Sequence, residues 1–169
     1  MTVAEVLADA FSRIHDAVHD AAGGLTAEEL AFRPDPGANS IGWLVWHLSR
    51  IQDDHVAAVA GTDQVWTSTG WADRFALPFA ASETGYGQGS DEVGSVRVAS
   101  SGLLTGYHDA VHEETLRFVA TLRDGDLGRI VDRSWDPPVT LGVRLVSVIA
   151  DGLQHAGQAG YVRGLAGRR

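Results

Sequence analysis

The stretch Thr140-Leu141-Gly142-Val143-Arg144-Leu145-Val146-Ser147-Val148-Ile149-Ala150-Asp151-Gly152-Leu153-Gln154-His155-Ala156-Gly157-Gln158-Ala159-Gly160-Tyr161-Val162 reads as one long helix. Thr140 can cap its start, and Val143, Val146, Ile149, Leu153, Ala156, Ala159 and Val162 return at three- and four-residue steps, the period of a helix with one face in a core. Three other segments carry the same period. Val3, Leu7, Ala10, Phe11, Ile14, Val18 and Ala21 mark a first helix that Gly23-Gly24 ends. A second starts at Asn39 or Ser40 and runs through Trp43, Leu44, Leu48, Ile51 and Val56 to about Ala60, where Gly61 closes it. A third follows from about Ser101, with Leu104, Tyr107, Val111, Thr115, Phe118 and Leu122 inward. The expected fold is all-α: a four-helix bundle over residues 1–169, with a long crossover between the second and third helices that lets them run parallel.

Between the helices the signals change. Thr26-Ala27-Glu28-Glu29 reads as a capping box that opens a short helical turn, stopped by Pro34 and Pro36. Residues 61–100 lose the helical period and gather Trp66, Trp71, Phe75, Pro78, Phe79 and Tyr86 among many small residues; a segment this long is usually functional or a crossover. Trp135-Asp136-Pro137-Pro138 excludes helix from the last connection. An identical pentapeptide, His15-Asp16-Ala17-Val18-His19 and His108-Asp109-Ala110-Val111-His112, sits on the first and third helices with no longer repeat around it.

Composition removes several kinds of chemistry. Hydrophobic residues make up 44% and charged residues 21% of 169 residues, a globular balance, and no apolar run is long enough to span a bilayer. The first residues lack the basic and apolar pattern of a secretory signal, so a cytoplasmic location is expected, with no membrane partner. A net charge of −9 repels phosphate backbones and argues against nucleic acid. Cysteine is absent, which excludes a thiolate nucleophile and sulfur-rich zinc sites, so any thiol must come from outside. All 13 basic residues are Arg, which removes lysine-based catalysis.

What remains is metal chemistry from histidine and carboxylate. Asp151 and His155 are four residues apart on one helix, about 40° apart around its axis, close enough to share an ion. A ligand pair on one helix of a bundle needs a third ligand from a facing helix. His47, set in the nearly wholly apolar Ser40-Ile41-Gly42-Trp43-Leu44-Val45-Trp46-His47-Leu48, is the natural candidate. Two histidines and a carboxylate leave open positions on a divalent ion, the pattern of a catalytic site, and zinc, nickel or iron(II) would accept it. The plain alternative is that each histidine is a surface or hydrogen-bonded core residue, and spacing alone does not decide against it.

Ser40 to Leu48, taken with Asp151-Gly152-Leu153-Gln154-His155-Ala156-Gly157-Gln158-Ala159, resembles the DinB-like superfamily of metal-binding four-helix bundles over nearly the whole chain. Within it the chain looks most like the actinobacterial branch of mycothiol-dependent maleylpyruvate isomerases and mycothiol S-transferases. The absence of lysine, a sign of GC-rich coding, agrees with that branch. The resemblance implies His47, Asp151 and His155 as metal ligands, with zinc first among the candidates and mycothiol as thiol cosubstrate. Asp151 departs from the glutamate or histidine of many relatives, and its shorter side chain requires either a closer helix or ligation through water.

Other residues have two readings each. Arg144, seven residues before Asp151, could hold a carboxylate of a thiol cofactor or substrate, or be a solvated arginine. Gln158 could hydrogen-bond water at the ion, or cap a neighbouring helix. Asp54 could support a ligand histidine or sit at the rim. Phe75 to Phe79 and Thr84-Gly85-Tyr86-Gly87-Gln88 could wall a substrate site, Tyr86 giving a ring and a hydroxyl, or pack as an ordinary crossover. His15, His19, His108 and His112 form a rival set, but each lies beside its apolar stripe, where solvated histidines are expected. The functional expectation is a metal-dependent S-transferase or isomerase acting on a small-molecule thiol and an electrophile. A non-catalytic metal-binding or stress-associated bundle and a metal-dependent hydrolase stand as alternatives. A homodimer is expected from the superfamily and from five tryptophans, some at an interface.

Overall fold

A computed structural model describes residues 1–168. Four long helices carry the fold: α1 (Val3–Ala22), α3 (Ile41–Ala60), α7 (Ser101–Val119) and α8 (Leu141–Ala166), with the five-residue α2 (Ala27–Ala31) between the first two. Their starts are set by side-chain caps. Thr2, Thr26, Ser40, Ser100 and Thr140 each accept a hydrogen bond from the backbone N–H three residues on, and Thr2 and Thr26 complete reciprocal capping boxes with Glu5 and Glu29. Gly61, at φ 73°, ends α3 in the left-handed conformation that glycine adopts without a steric cost.

Around the bundle, α1 packs against α7 and α8, and α3 packs against the same two. Contacts at successive levels give the directions. Ile14 lies against Gly152 and Arg163 reaches the carbonyls of Ala21 and Gly23, so α1 and α8 run parallel. Ser49 meets His108 and Gln52 meets Thr115, so α3 and α7 also run parallel. His15 stacks on His112 while His19 reaches Asp109, so α1 and α7 are antiparallel. This is the four-helix bundle with one long crossover expected from the sequence.

The crossover is not structureless. It holds three short helices, α4 (Val65–Ser68), α5 (Trp71–Phe75) and α6 (Ser90–Ser95), and buries Trp66, Phe75, Val93, Val96 and Val98. That cover leaves the first ten residues of α3 buried on every side, as expected of a helix apolar all round. After α7, a 3-10 turn (Asp124–Gly128) and a two-stranded hairpin, β1 (Ile130–Asp132) and β2 (Val139–Thr140), lead into α8. The hairpin was not expected from the sequence, since strands this short carry no alternation to read. Trp43, Trp46 and Trp66 are buried and Trp71 is half-buried, so tryptophan gives little support to an interface; Trp135 is the exposed one.

One helix face departs from expectation. On α8 the buried residues are Leu141, Leu145, Val148, Gly152, Ala156, Ala159 and Val162, whereas Val143, Val146 and Leu153 are exposed. The first half of α8 is apolar on several faces, so its period is ambiguous, and the residue that sets the phase is Gly152. A Cβ there would stand 2.9 Å from Ile14 Cδ1 and 3.3 Å from its Cγ2, so a side chain at this position requires Ile14 to shift. Among the described residues no helix is long and apolar enough to cross a membrane.

Candidate metal centre

His47 lies in the second turn of α3, four residues after Trp43, and is 5% exposed. The Trp43 ring stacks on it, with centroids 4.6 Å apart and planes 14° apart, and Trp43 Nε1 donates to Gln88 Oε1 at 2.9 Å. On the other side the backbone of the crossover approaches closely. His47 Nδ1 donates to the Thr84 carbonyl at 2.6 Å, and the next residue, Gly85, has φ 89° and no room for a side chain, since a Cβ would lie 2.8 Å from His47 Nδ1. With Nδ1 held as the N–H tautomer by a carbonyl, Nε2 is left as the lone-pair nitrogen, the arrangement that orients ligand histidines.

Across the interface, α8 brings Asp151 and His155. His155 Nδ1 donates to Gln158 Oε1 at 2.8 Å, and its Nε2 stands 3.4 Å from Asp151 Oδ1. The His47 and His155 rings meet edge-on with centroids 5.0 Å apart. One donor atom from each of His47, Asp151 and His155 lies within 4.8 Å of the others. Burial lowers the His47 pKa, opposed by the Thr84 bond and the Asp151 charge, so the ring is neutral at neutral pH. The hydrogen bond to Asp151 raises the His155 pKa, with burial opposing it.

The donors fit a divalent ion. Asp151 Oδ2 is buried without a hydrogen-bond partner, a costly state for a carboxylate oxygen in a folded protein and a natural one for a group that faces a cation. Two imidazole nitrogens and one carboxylate suit zinc, nickel or iron(II) and leave open positions.

The remaining expected site residues fall in different places. Gln158 supports His155 directly rather than capping another helix. Arg144 is ion-paired with Asp132 of the hairpin at 2.9 Å. Tyr86 is 87% exposed, pointing away from the protein one residue after the close approach at Gly85. Within the crossover Phe75 packs against Trp66, and Phe79 stacks on Trp46 of α3. Asp54 accepts from Gln64 and supports no ligand histidine; its neighbour Asp53 is the buried acid, accepting from the Val65 and Trp66 N–H groups and from the Tyr107 hydroxyl, with buried Arg50 3.5 Å away. That network was readable from two opposite charges three residues apart in an apolar helix. The Thr84 carbonyl was not, because a backbone acceptor leaves no trace in residue type. Beside the centre, a cleft of about 590 Å³ is lined by Pro34, Leu44, Gln158, Tyr161 and Val162 among others. Leu44 and Gln158 are three residues from His47 and His155, respectively.

A bundle with such a cluster between facing helices is of the class that builds metal and ligand sites from inward-facing side chains. The chain belongs to the DinB superfamily, whose family model matches residues 10–159. It is similar over 100% of its length, with 31% identity and a TM-score of 0.92, to a solved structure described as a conserved protein from Enterococcus faecalis, 99% of which is covered. No curated protein matches the chain.

Proposed function

We propose that the chain is a metal-dependent transferase or isomerase that uses one divalent ion, zinc first, to activate a low-molecular-weight thiol, with mycothiol as the cosubstrate its sequence resemblance suggests. The observation that carries this reading is the convergence of three donors whose supporting bonds are already made: His47 by Thr84, His155 by Gln158, and Asp151 with one oxygen still unpaired. Bound there, a divalent ion supplies a Lewis-acid position that lowers the pKa of a thiol.

The chain's own groups do the rest. Asp151 would offset part of the cation's charge through the Oδ2 that the protein leaves unpaired. Trp43 and the Thr84–Gly85 backbone keep water from the inner side of His47 and hold its ring. The cleft beside Leu44, Tyr161 and Val162 offers an apolar wall for the electrophile. With no cysteine in the chain, the thiol is external.

Elemental analysis of the wild type beside His47→Ala and His155→Ala, paired with turnover of monochlorobimane in the presence of mycothiol, tests the reading. Each variant is expected to lose one equivalent of metal and thiol-dependent turnover together. Metal content unchanged in both variants would overturn the centre itself. Metal lost without any thiol-dependent turnover in the loaded wild type would favour a binding bundle, a reading helped by the pairing of Arg144 with Asp132, which leaves that arginine engaged. Turnover that proceeds equally without thiol would indicate a hydrolase.

A further inference from the structure

A second set of donors meets at the seam between α1 and α7. His15 and His19, one turn apart on α1, both direct Nε2 at the same oxygen, Asp109 Oδ1, at 2.9 and 2.6 Å. One donor atom from each of the three lies within 4.8 Å of the others. Asp16 Oδ1 stands 3.5 Å from His15 Nδ1, so a cation that took the place of the Nε2 proton would leave an Nδ1–H facing a carboxylate. Two more imidazoles surround the cluster. The His112 ring stacks on His15 with centroids 4.5 Å apart, and its Nδ1 is buried and unpaired. His108 is fully buried, with Nδ1 bonded to Ser49 Oγ at 2.9 Å and Nε2 unpaired 6.0 Å, centroid to centroid, from His15.

The repeated pentapeptide explains the geometry. Because α1 and α7 are antiparallel, the copies face each other and contribute unlike residues: the first supplies its two histidines, the second its aspartate. His108, expected at the solvated flank, turns into the core instead.

We propose that His15, His19 and Asp109 form a second divalent-cation site, independent of the His47 centre and selective for a borderline ion such as zinc or cobalt(II). Two imidazoles and one carboxylate from facing helices are the donor set of the first centre, and donors on an ion with bonds of about 2.0–2.1 Å sit about 3–3.4 Å apart, so His15 and His19 would each move back a few tenths of an ångström from their present 2.9 and 2.6 Å distances to Asp109 Oδ1. The two flanking rings, His108 and His112, each also carry a buried nitrogen without a hydrogen-bond partner. The three ligands are partly exposed, so ions enter from solvent without opening the bundle, and exchange at this site is faster than at buried His47.

Full-length protein stripped with a chelator and titrated with Co²⁺, followed by its visible absorption and by equilibrium dialysis, tests this. The wild type is expected to bind two ions per chain, one at each donor group. His15→Ala/His19→Ala and His47→Ala/His155→Ala are each expected to retain one, and the fourfold variant none. Asp109→Asn, which keeps the shape of the side chain, should weaken the second equivalent by at least about ten-fold while leaving the first unchanged. A wild type that binds a single equivalent, or a second equivalent that survives His15→Ala/His19→Ala with far-UV circular dichroism intact, would overturn the proposal. So would loss of all binding in His47→Ala/His155→Ala that remains folded.

Discussion

Gly85 is where backbone conformation and site chemistry meet in one residue. Its φ of 89° is a left-handed value that side chains resist, and the space a Cβ would fill is taken by His47 and Trp46. Gly85→Ala is therefore expected to move the Thr84 carbonyl off His47 Nδ1 and to lower affinity at the His47 centre by about 10- to 100-fold, with about 1–3 kcal/mol of stability lost to backbone strain. Gly87 separates the two effects. It also has positive φ, 78°, but nothing lies within 4 Å of its Cβ position. Gly87→Ala should share the loss in stability and leave metal affinity unchanged, as read by isothermal titration with Zn²⁺ beside urea denaturation; equal affinities for the two variants would show that Thr84 does not support the ligand. Of this part of the centre the sequence showed the three donors and the glycine-rich segment. It did not show which of them touch, because the partners of His47 are a carbonyl and the face of a ring.

At the scale of elements, helix ends were legible and helix faces less so. The caps Ser40 and Thr140, the Thr26 box and the stop at Gly61 are local chemistry that needs no knowledge of the partner helix. Which face of α8 turns inward depends on how it meets α1, and Gly152 is where α8 lies against Ile14 with no side chain between them. The hydrophobic stripe through Val143, Val146 and Leu153 passed over it, because glycine contributes nothing to an apolar count. Two substitutions test the corrected face. Gly152→Val places two branched carbons against Ile14 and is expected to cost about 1–3 kcal/mol by overpacking, despite valine's better helix propensity. Val146→Ser, at a position 63% exposed, should change stability by no more than about 0.5 kcal/mol. Urea denaturation of chelated protein reads both, and the reverse ranking would restore the face expected from the stripe.

For the whole molecule, the buried histidines tie stability to pH. His108 sits inside the bundle with its pKa pushed to about 3 by burial and by the neighbouring His15 and His112, whereas in the unfolded chain it titrates near 6.5. A folded-state pKa below the unfolded one means that, as pH falls past about 6.5, the unfolded chain takes up a proton the folded chain refuses. Stability is then lost progressively, by up to about 1.4 kcal/mol per pH unit for this one group, until pH nears the folded value. Burial also lowers the pKa of His47, His55 and His112, which adds to the slope, while the raised pKa of His155 acts against it. Carboxylates with lowered values, such as Asp109 and Glu29, begin to contribute below about pH 5, so a window from about pH 6.5 to 5 reports mainly the histidines. In chelated protein His108→Gln, whose amide can keep the bond to Ser49 but cannot titrate, is expected to flatten the fall in unfolding free energy across that window by up to about one proton's worth. Denaturant midpoints measured at several pH values for both proteins decide it. Parallel curves would mean that His108 takes up its proton in the folded state, and that the bundle opens around it before it unfolds.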